Sequence, residues 1–573
     1  MPALVIPTPA RLGMALLTAL LFSACGDGAV TATPSADPAP VPLRTARFVD
    51  APTGGLHYQC GSQSGVTQPD GSFDVEPGAT CTFSIGGLVL GSSDIPADGI
   101  VTPYELADVP RANAGDRKAV AIAQLLQSVA TTTPQGLQVD DTVQTALNDL
   151  HEDLVRSDGT LVTQAELAAL VSTAARGGRA LLAPSTASDA MDGYIESSGI
   201  DKSAGRRSGQ AVTRVLYVAR AGGIDVYTIS NYQIGFTAAL DIGRPDATPL
   251  GIVVARELHL AFVFENAADG ASGLIHSVQI NPASGALTAL GKTAETPAWV
   301  LAAQYDPYQR VIYTIPLNDF SIRTDKPWIM RHRIQADASL SAGEMAFDRH
   351  ASGLAGTELQ DFVLDPFGRA IYATNWTAGL APTTNLLPLQ IGANGALTLD
   401  PSAVSTVDGV VQGVGGGFGT PNGRLLFNIV DTTTVGAGRF RLMRQTIDDA
   451  GQLVANGTPA STSQRPCSSL ASSSDGRVMY YRVGSGVTVV DTRSEPLALQ
   501  TRTGGGPLPG ATLTEWCAMA KAPGDDHFVV QVGNAIEVFK IGADGLPEFK
   551  SFVIHRESLA GQFVRLSAPL GYY

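Results

Sequence analysis

Two tryptophans hold equivalent places in this sequence. Ala298-Trp299-Val300 and Glu515-Trp516-Cys517 each set an indole eleven residues before a basic residue, Arg310 or His527, that opens an apolar run. An indole offers a broad flat surface with a polar tip, which suits sugars and peptides. Asp361, Gln412 and Glu515 precede the basic residues of their own segments and add hydrogen-bonding groups. The plainer alternative is that both rings fill gaps between packed elements. Catalytic chemistry is harder to assemble. His259 and His527 hold the basic position itself, His276, His332, His350 and His555 are scattered, and no pair has metal-ligand spacing. No nucleophile, base and orienting group fall together in sequence, so no catalytic residue, metal ligand or cofactor is assigned. Gly413 to Gly419 is glycine-dense, but strand patterns follow it where a phosphate loop needs a helix.

The elements that must position these residues repeat. The clearest copy is Asp361-Phe362-Val363-Leu364-Asp365-Pro366-Phe367-Gly368-Arg369-Ala370-Ile371-Tyr372, a strand, a tight turn and a second strand. Proline pre-sets φ at the first central turn position and glycine tolerates the exit. The second strand recurs from Arg214, His259, Arg310, Arg369, Arg424, Arg477 and His527, with starts 45 to 59 residues apart and usually an aromatic fourth residue. A third strand follows, as in Gly223 to Ile229 and Ala535 to Ile541. Then comes a hairpin turn, as in Ala283-Ser284-Gly285, Ala393-Asn394-Gly395, Asp449-Ala450-Gly451 and Ala543-Asp544-Gly545. Short strands at this period predict a mainly β fold, a seven-bladed β-propeller with one sheet per copy. No apolar strand precedes Arg214, whereas Phe563 to Gly571 is a spare copy of Phe362 to Gly368. The C-terminal strand is therefore expected to complete the first blade and close the ring, leaving no open edge.

The repeats resemble lactonase-like propellers, the group that includes the propeller-type 6-phosphogluconolactonase, through their Arg-apolar-apolar-Tyr and Asp-Gly-x-Leu elements. The resemblance implies the fold throughout 211–573. It also implies that a lactone-acting member would set His, Glu and Arg where the inner strands meet the central funnel. The inner strands here carry no histidine. Cys467 and Cys517 each stand ten residues before the basic position of neighbouring repeats, and a disulfide joining adjacent blades is expected.

Upstream the composition changes. Residues 1–24 read as a targeting segment, with Arg11 before the apolar run Met14 to Phe22, too short to span a membrane with confidence. Leu21-Phe22-Ser23-Ala24-Cys25 resembles a bacterial lipobox, which implies cleavage and lipidation at Cys25 and an anchor in the cell envelope. Gly26 after it, again by resemblance, favours the outer membrane. An ordinary cleaved signal is the alternative. Residues 25–44 are rich in Ala, Pro, Thr and Asp, a disordered tether. Residues 45–95 form a small β module resembling carboxypeptidase-regulatory-like domains. Cys60 and Cys81 flank its central turn, either as a disulfide or as two buried thiols. Residues 96–200 turn helical. Thr102-Pro103-Tyr104-Glu105 is a capping box, and helices are expected at Arg117–Val129 and around Asp141–Val155, Thr163–Ala175 and Ser185–Ser197. The acids from Asp98 to Glu105 lack the alternating spacing of a calcium loop. With the β module, this region looks like the N-terminal part of a recurrent type of bacterial surface lipoprotein. Residues 201–210 are a basic, Gly-rich linker.

A net charge of −15 argues against nucleic acid as a partner. Three functions fit: a non-catalytic envelope lipoprotein, expected to be monomeric, that binds a carbohydrate, peptide or protein; a lactonase-like hydrolase or isomerase working in the funnel; and a structural element of an envelope assembly.

Overall fold

The structure is a computed structural model. It describes residues 42–554, apart from 157–159, 176–177, 203–213, 246, 248, 267–271, 318–327, 350–357, 378–382, 412–416, 433–439, 463–469, 484–485, 503–516, 522–525, 533–534 and 543–544. The targeting segment, Cys25 and the closing stretch 563–571 lie outside the described residues, as does nearly all of the tether and the linker.

The N-terminal part builds three small sheets among the described residues, one of them of Thr53–Gly54, Gly136–Gln138 and Thr131–Thr133. Arg44–Phe48 lies between Ser72–Val75 and Ile100–Val101, and His57–Cys60, Gln63–Val66, Thr80–Ile85 and Leu88–Asp94 form the second sheet. Cys60 and Cys81 stand opposite each other in that sheet and form a disulfide, with Cα atoms 4.1 Å apart. Five helices follow: α1 (Pro103–Leu106), α2 (Arg117–Val129), α3 (Asp141–Ala146), α4 (Gln164–Ala174) and α5 (Pro184–Ser197). Thr102 and Glu105 make the reciprocal capping box at α1.

Strands and helices share one core, in which Phe48, Phe73 and Phe83 pack with Ile122, Leu125, Leu126, Leu167 and Val171. Apolar spacing predicts one helix over Asp141–Val155, but α3 stops at Ala146. The chain beyond it is drawn to a strand edge. The Val89 N–H donates to the Glu152 carbonyl at 3.0 Å and the Leu154 N–H to the Val89 carbonyl at 2.8 Å. Gly87 permits this approach, since a Cβ there would lie 1.9 Å from the Leu150 carbonyl. The acids from Asp98 to Glu105 close around a cation from their own chain. Arg111, 1% exposed, reaches Asp98 and Glu105 at 2.6 Å each and the Ile100 carbonyl at 2.6 Å.

Residues 214–554 form a β-propeller. Among the described residues, seven antiparallel sheets follow one another in chain order. The first has three strands and the others four or more. Each pair of successive sheets shares its own hydrophobic cluster. The last sheet shares one with the first, where Val529, Ile536 and Val538 meet Leu216, Tyr227 and Ile229. At that seam Ser551 Oγ donates to the Tyr232 carbonyl at 2.5 Å, and Lys540 Nζ sits 5.0 Å above the Tyr232 ring.

In the fourth, fifth and sixth sheets the turn between the first two strands is built as the motif demands. In the fourth sheet Asp365 Oδ2 accepts the Phe367 and Arg369 N–H groups at 3.1 Å each, and Gly368 takes φ 66°. Thr420 and Ser473 replace the aspartate in the fifth and sixth sheets, their hydroxyls accepting the Leu425 and Val478 N–H groups at 3.1 and 2.9 Å.

The aromatic residue of the motif has a partner in the next sheet. The Tyr217 hydroxyl donates to the Gly285 carbonyl (2.6 Å), Tyr313 to Gly395 (3.0 Å), Tyr372 to Gly451 (3.1 Å) and Tyr480 to Gly545 (2.9 Å). Each glycine has a φ of 69° to 81° and lies in the hairpin between the third and fourth strands. Where the motif carries Phe262, Phe427 or Val530, the hairpin it faces has no glycine: 334–340, 492–497 and 231–232. The hydroxyl is present where a hairpin carbonyl waits for it and missing elsewhere. A buried carbonyl left without a donor costs about 1–3 kcal/mol. Tyr372→Phe is therefore expected to lower unfolding free energy by about 1–2 kcal/mol in urea titrations. Phe427→Tyr, which buries a hydroxyl with no such carbonyl, is expected to destabilise rather than stabilise.

Candidate functional site

The two ends of the ring differ in chemistry. The Asp-Pro turns and the glycine hairpins lie at one end of the sheets. The turns between the second and third strands, with the links from sheet to sheet, lie at the other. The first end is covered by the N-terminal helices. Arg117, at the start of α2, donates through Nε to the Pro366 carbonyl at 2.7 Å and lies 3.9 Å from Glu257. Gly115 passes so close to Pro421 that a Cβ would lie 2.8 Å from its carbonyl oxygen. On α5, Asp189 meets Arg424 at 2.5 Å and Glu196 meets Arg477 at 2.7 Å, while Ser185 donates to Asp449 at 3.2 Å. Asp189 and Glu196 are two helical turns apart, about 10 Å. Arg424 and Arg477 are the opening residues of the motif in neighbouring sheets. The spacing of acids on α5 thus matches the spacing of the repeat.

Buried polar pairs lie at the opposite end too, as Asp365–Arg369 does at the turn end. Asp225, 2% exposed, pairs with Arg220 at 2.9 Å beside the turn of the first sheet. In the second sheet His276 Nε2 lies 2.9 Å from Glu265, whose carboxyl sits beneath Gly243 of the preceding link. Arg482 of the sixth sheet is paired with Glu537 of the seventh, their side chains 4% and 1% exposed. Burial raises the Glu537 pKa, against the pull of the guanidinium. The inner strands of the second, third and fourth sheets each open at this end with a register shift, between Pro249 and Gly251, Val300 and Ala302, and Leu359 and Asp361. Bulges at the rim of a ring re-aim side chains and often flank binding sites.

The residues singled out in sequence divide. Trp299 is half-buried and packs with Val253, Phe262 and Phe264 in the seam between the second and third sheets. Asp361 is 4% exposed, and its N–H and carbonyl both bond the Thr374 hydroxyl, at 3.1 and 3.2 Å. Gln412, Glu515 and Trp516 lie outside the described residues, as do Cys467 and the Cys517 side chain. His332 is fully buried beside Thr314, its pKa lowered by burial. His350 and His555 lie outside the described residues. The pairs Glu265–His276 and Arg482–Glu537 escaped sequence reading because each joins different strands. A polar residue ending an otherwise apolar second strand was the available signal. The N-terminal part also holds a cavity of about 650 Å³, lined by residues of 88–173 and none from the ring.

No family model and no curated protein matches this chain. Solved structures do. A candidate 6-phosphogluconolactonase from Bacteroides uniformis is 14% identical with a TM-score of 0.45, covering 62% of this chain and 100% of its own. The periplasmic gluconolactonase of Pseudomonas aeruginosa is 16% identical with a TM-score of 0.45, covering 62% and 99%. The WD40 domain of Toxoplasma gondii coronin is 9% identical with a TM-score of 0.37, covering 54% and 71%. At these identities the likeness is one of fold.

The Arg482–Glu537 pair gives a direct test of the electrostatics at this end. Arg482→Met leaves a buried carboxyl without its cation, at a cost of about 3–5 kcal/mol. The carboxyl's folded pKa then lies still further above its unfolded value. The loss is expected to be largest near neutral pH and to shrink as pH falls toward the unfolded carboxyl range. Denaturant titrations at two pH values check this, and Glu537→Gln in the same chain is expected to recover most of the loss.

Proposed function

We propose that the chain is a cell-envelope lipoprotein, anchored through Cys25 in the outer membrane, whose seven-bladed propeller binds a carbohydrate, peptide or protein partner without catalysis. The partner enters at the mouth opposite the docked helices. The observation that carries this reading is the asymmetry of the ring. One end is occupied by α2 and α5 through at least four polar contacts. The other carries the bulged openings of the inner strands and the polar pairs Arg220–Asp225, Glu265–His276 and Arg482–Glu537. A mouth with fixed charges and re-aimed backbone is what selective polar recognition needs.

A second reading is a lactonase-like hydrolase, favoured by one pair. Glu265 at 2.9 Å from His276 is a carboxylate positioned to orient an imidazole. In this reading the imidazole handles the proton of an attacking water.

A thermal-shift screen of the full mature chain against lactones, sugars, cell-wall peptides and divalent ions tests both. A ligand that binds only the folded state stabilises it by about 2.7 kcal/mol at a hundredfold excess over its dissociation constant. A shift is expected with a sugar or peptide, and Arg220→Ala at the open end is expected to abolish it while Arg477→Ala at the covered end leaves it intact. The reverse pattern contradicts the placement of the mouth. Turnover of a lactone that His276→Gln abolishes would favour the hydrolase.

A further inference from the structure

The helix that carries most of the docking contacts also closes over a group of acids. Asp50, just after the first strand of the N-terminal part, is 1% exposed. Its Oδ1 accepts from Gln127 Nε2 of α2 at 3.0 Å, and the same nitrogen reaches the Ala187 carbonyl of α5 at 3.1 Å. Its Oδ2 has no hydrogen-bond partner among the described residues. Asp192 of α5 is half-buried. It accepts from the buried Tyr104 hydroxyl of α1 at 2.5 Å and from Ser188 Oγ at 3.3 Å. α2 contributes Asp116, whose Oδ1 caps the helix through the Lys118 and Ala119 N–H groups at 3.0 and 3.1 Å.

Several cations face this group. Lys118, Arg117 and the ring's Arg256 act on Asp116, and Lys202 and the ring's Arg477 act on Asp192. The other charges nearby are already engaged: Glu105 by Arg111, Asp189 by Arg424 and Glu196 by Arg477.

We propose that α5 is a proton-dependent clasp: with Asp50 and Asp192 protonated it holds the N-terminal part against the turn end of the ring, and when both ionise it loosens and uncovers that end. The geometry sets the direction. Ionised, Asp50 is a buried charge whose second oxygen has nothing to bond among the described residues, and the charge of Asp192 on α5 acts against it. Relief comes by moving α5. The described polar contacts of α5 with the ring, at Ser185, Asp189 and Glu196, are side-chain contacts that can break without disturbing a strand. Burial pushes the Asp50 carboxyl up to about 7 and the Asp192 carboxyl up to about 6; the charge of Asp192 raises Asp50 further, and that of Asp189 raises Asp192. Groups raised on folding add stability that is complete below the unfolded carboxyl value of 3.8 and is lost as pH rises through the folded values. The window is therefore mildly acid to neutral.

Hydrogen–deuterium exchange on the full chain tests this between about pH 5 and about pH 8, corrected for the intrinsic exchange rate. The amides of α5 are expected to lose protection by at least about tenfold relative to those of Ala370–Thr377 in the ring, the loss that one pKa unit represents. Asp50→Asn and Asp192→Asn are each expected to flatten that dependence. Ser185→Ala, which removes a docking hydrogen bond and no charge from α5, is expected to lower α5 protection alike at every pH. Protection of α5 that does not change with pH in the unaltered chain would overturn the proposal. So would an unchanged dependence in both asparagine variants, or equal loss in α5 and ring strands.

Discussion

A buried tyrosine hydroxyl donating to a glycine carbonyl of the next sheet is the interaction on which the ring turns. Each sheet must lean on its neighbour at one angle, because error accumulates around a closed circle. Apolar packing alone is tolerant of small slips, since dispersion falls off gently and side chains repack. A hydrogen bond within a buried seam is not tolerant, because losing it strands a polar group away from water. Four seams carry this bond. The glycine is needed twice over, for the positive φ of the hairpin and for the bare approach. At Gly395 a Cβ would lie 2.8 Å from the Tyr313 hydroxyl oxygen. The first and last sheets close on different chemistry, centred on Tyr232. Its hydroxyl bonds Asp526, which also pairs with Arg214 at 3.4 Å.

From this regularity follows the fit of the N-terminal part. A repeat that places an arginine at the head of most second strands presents cations at intervals on one end of the ring. α5 answers with acids seven residues apart. Exposed ion pairs of this kind contribute little each, and the pairs at Arg424 and Arg477 are at least a third exposed. They set register more than affinity. Arg117, with its hydrogen bond to the Pro366 carbonyl, and the close approach at Gly115 add shape to charge. The result is a propeller whose turn end is covered by the N-terminal helices.

Much of this was legible in the sequence. The period, the Asp-Pro turn and the glycine hairpins are local signals, set by φ preferences that need no tertiary help. The capping box at Thr102 and the helix at Arg117–Val129 are local in the same sense. Cys60 and Cys81 were also legible as a pair, since they flank one turn. What was missed depends on partners distant in sequence. α3 ends early because residues 152–154 complete a strand edge at Val89. Arg111 occupies an acid cluster whose spacing gave no hint of a cation. The tyrosine was visible as an aromatic habit of the motif, but its carbonyl lies some 65 to 82 residues ahead. The tryptophan reading met a common ambiguity: a large apolar ring serves a seam as well as a mouth, and Trp299 packs in a seam.

The central claim is that the N-terminal part sits on the turn end of the ring. Pulsed dipolar spectroscopy between spin labels at Ala190 on α5 and Val454 on an outer strand of the fifth sheet measures this directly, since both positions are exposed. At about pH 5, where the acids beneath α5 are largely protonated, the account predicts one narrow distance distribution. It also predicts that charge reversal at both Asp189 and Glu196 broadens that distribution. A broad distribution in the unaltered chain, or one that the reversals leave unchanged, would contradict it.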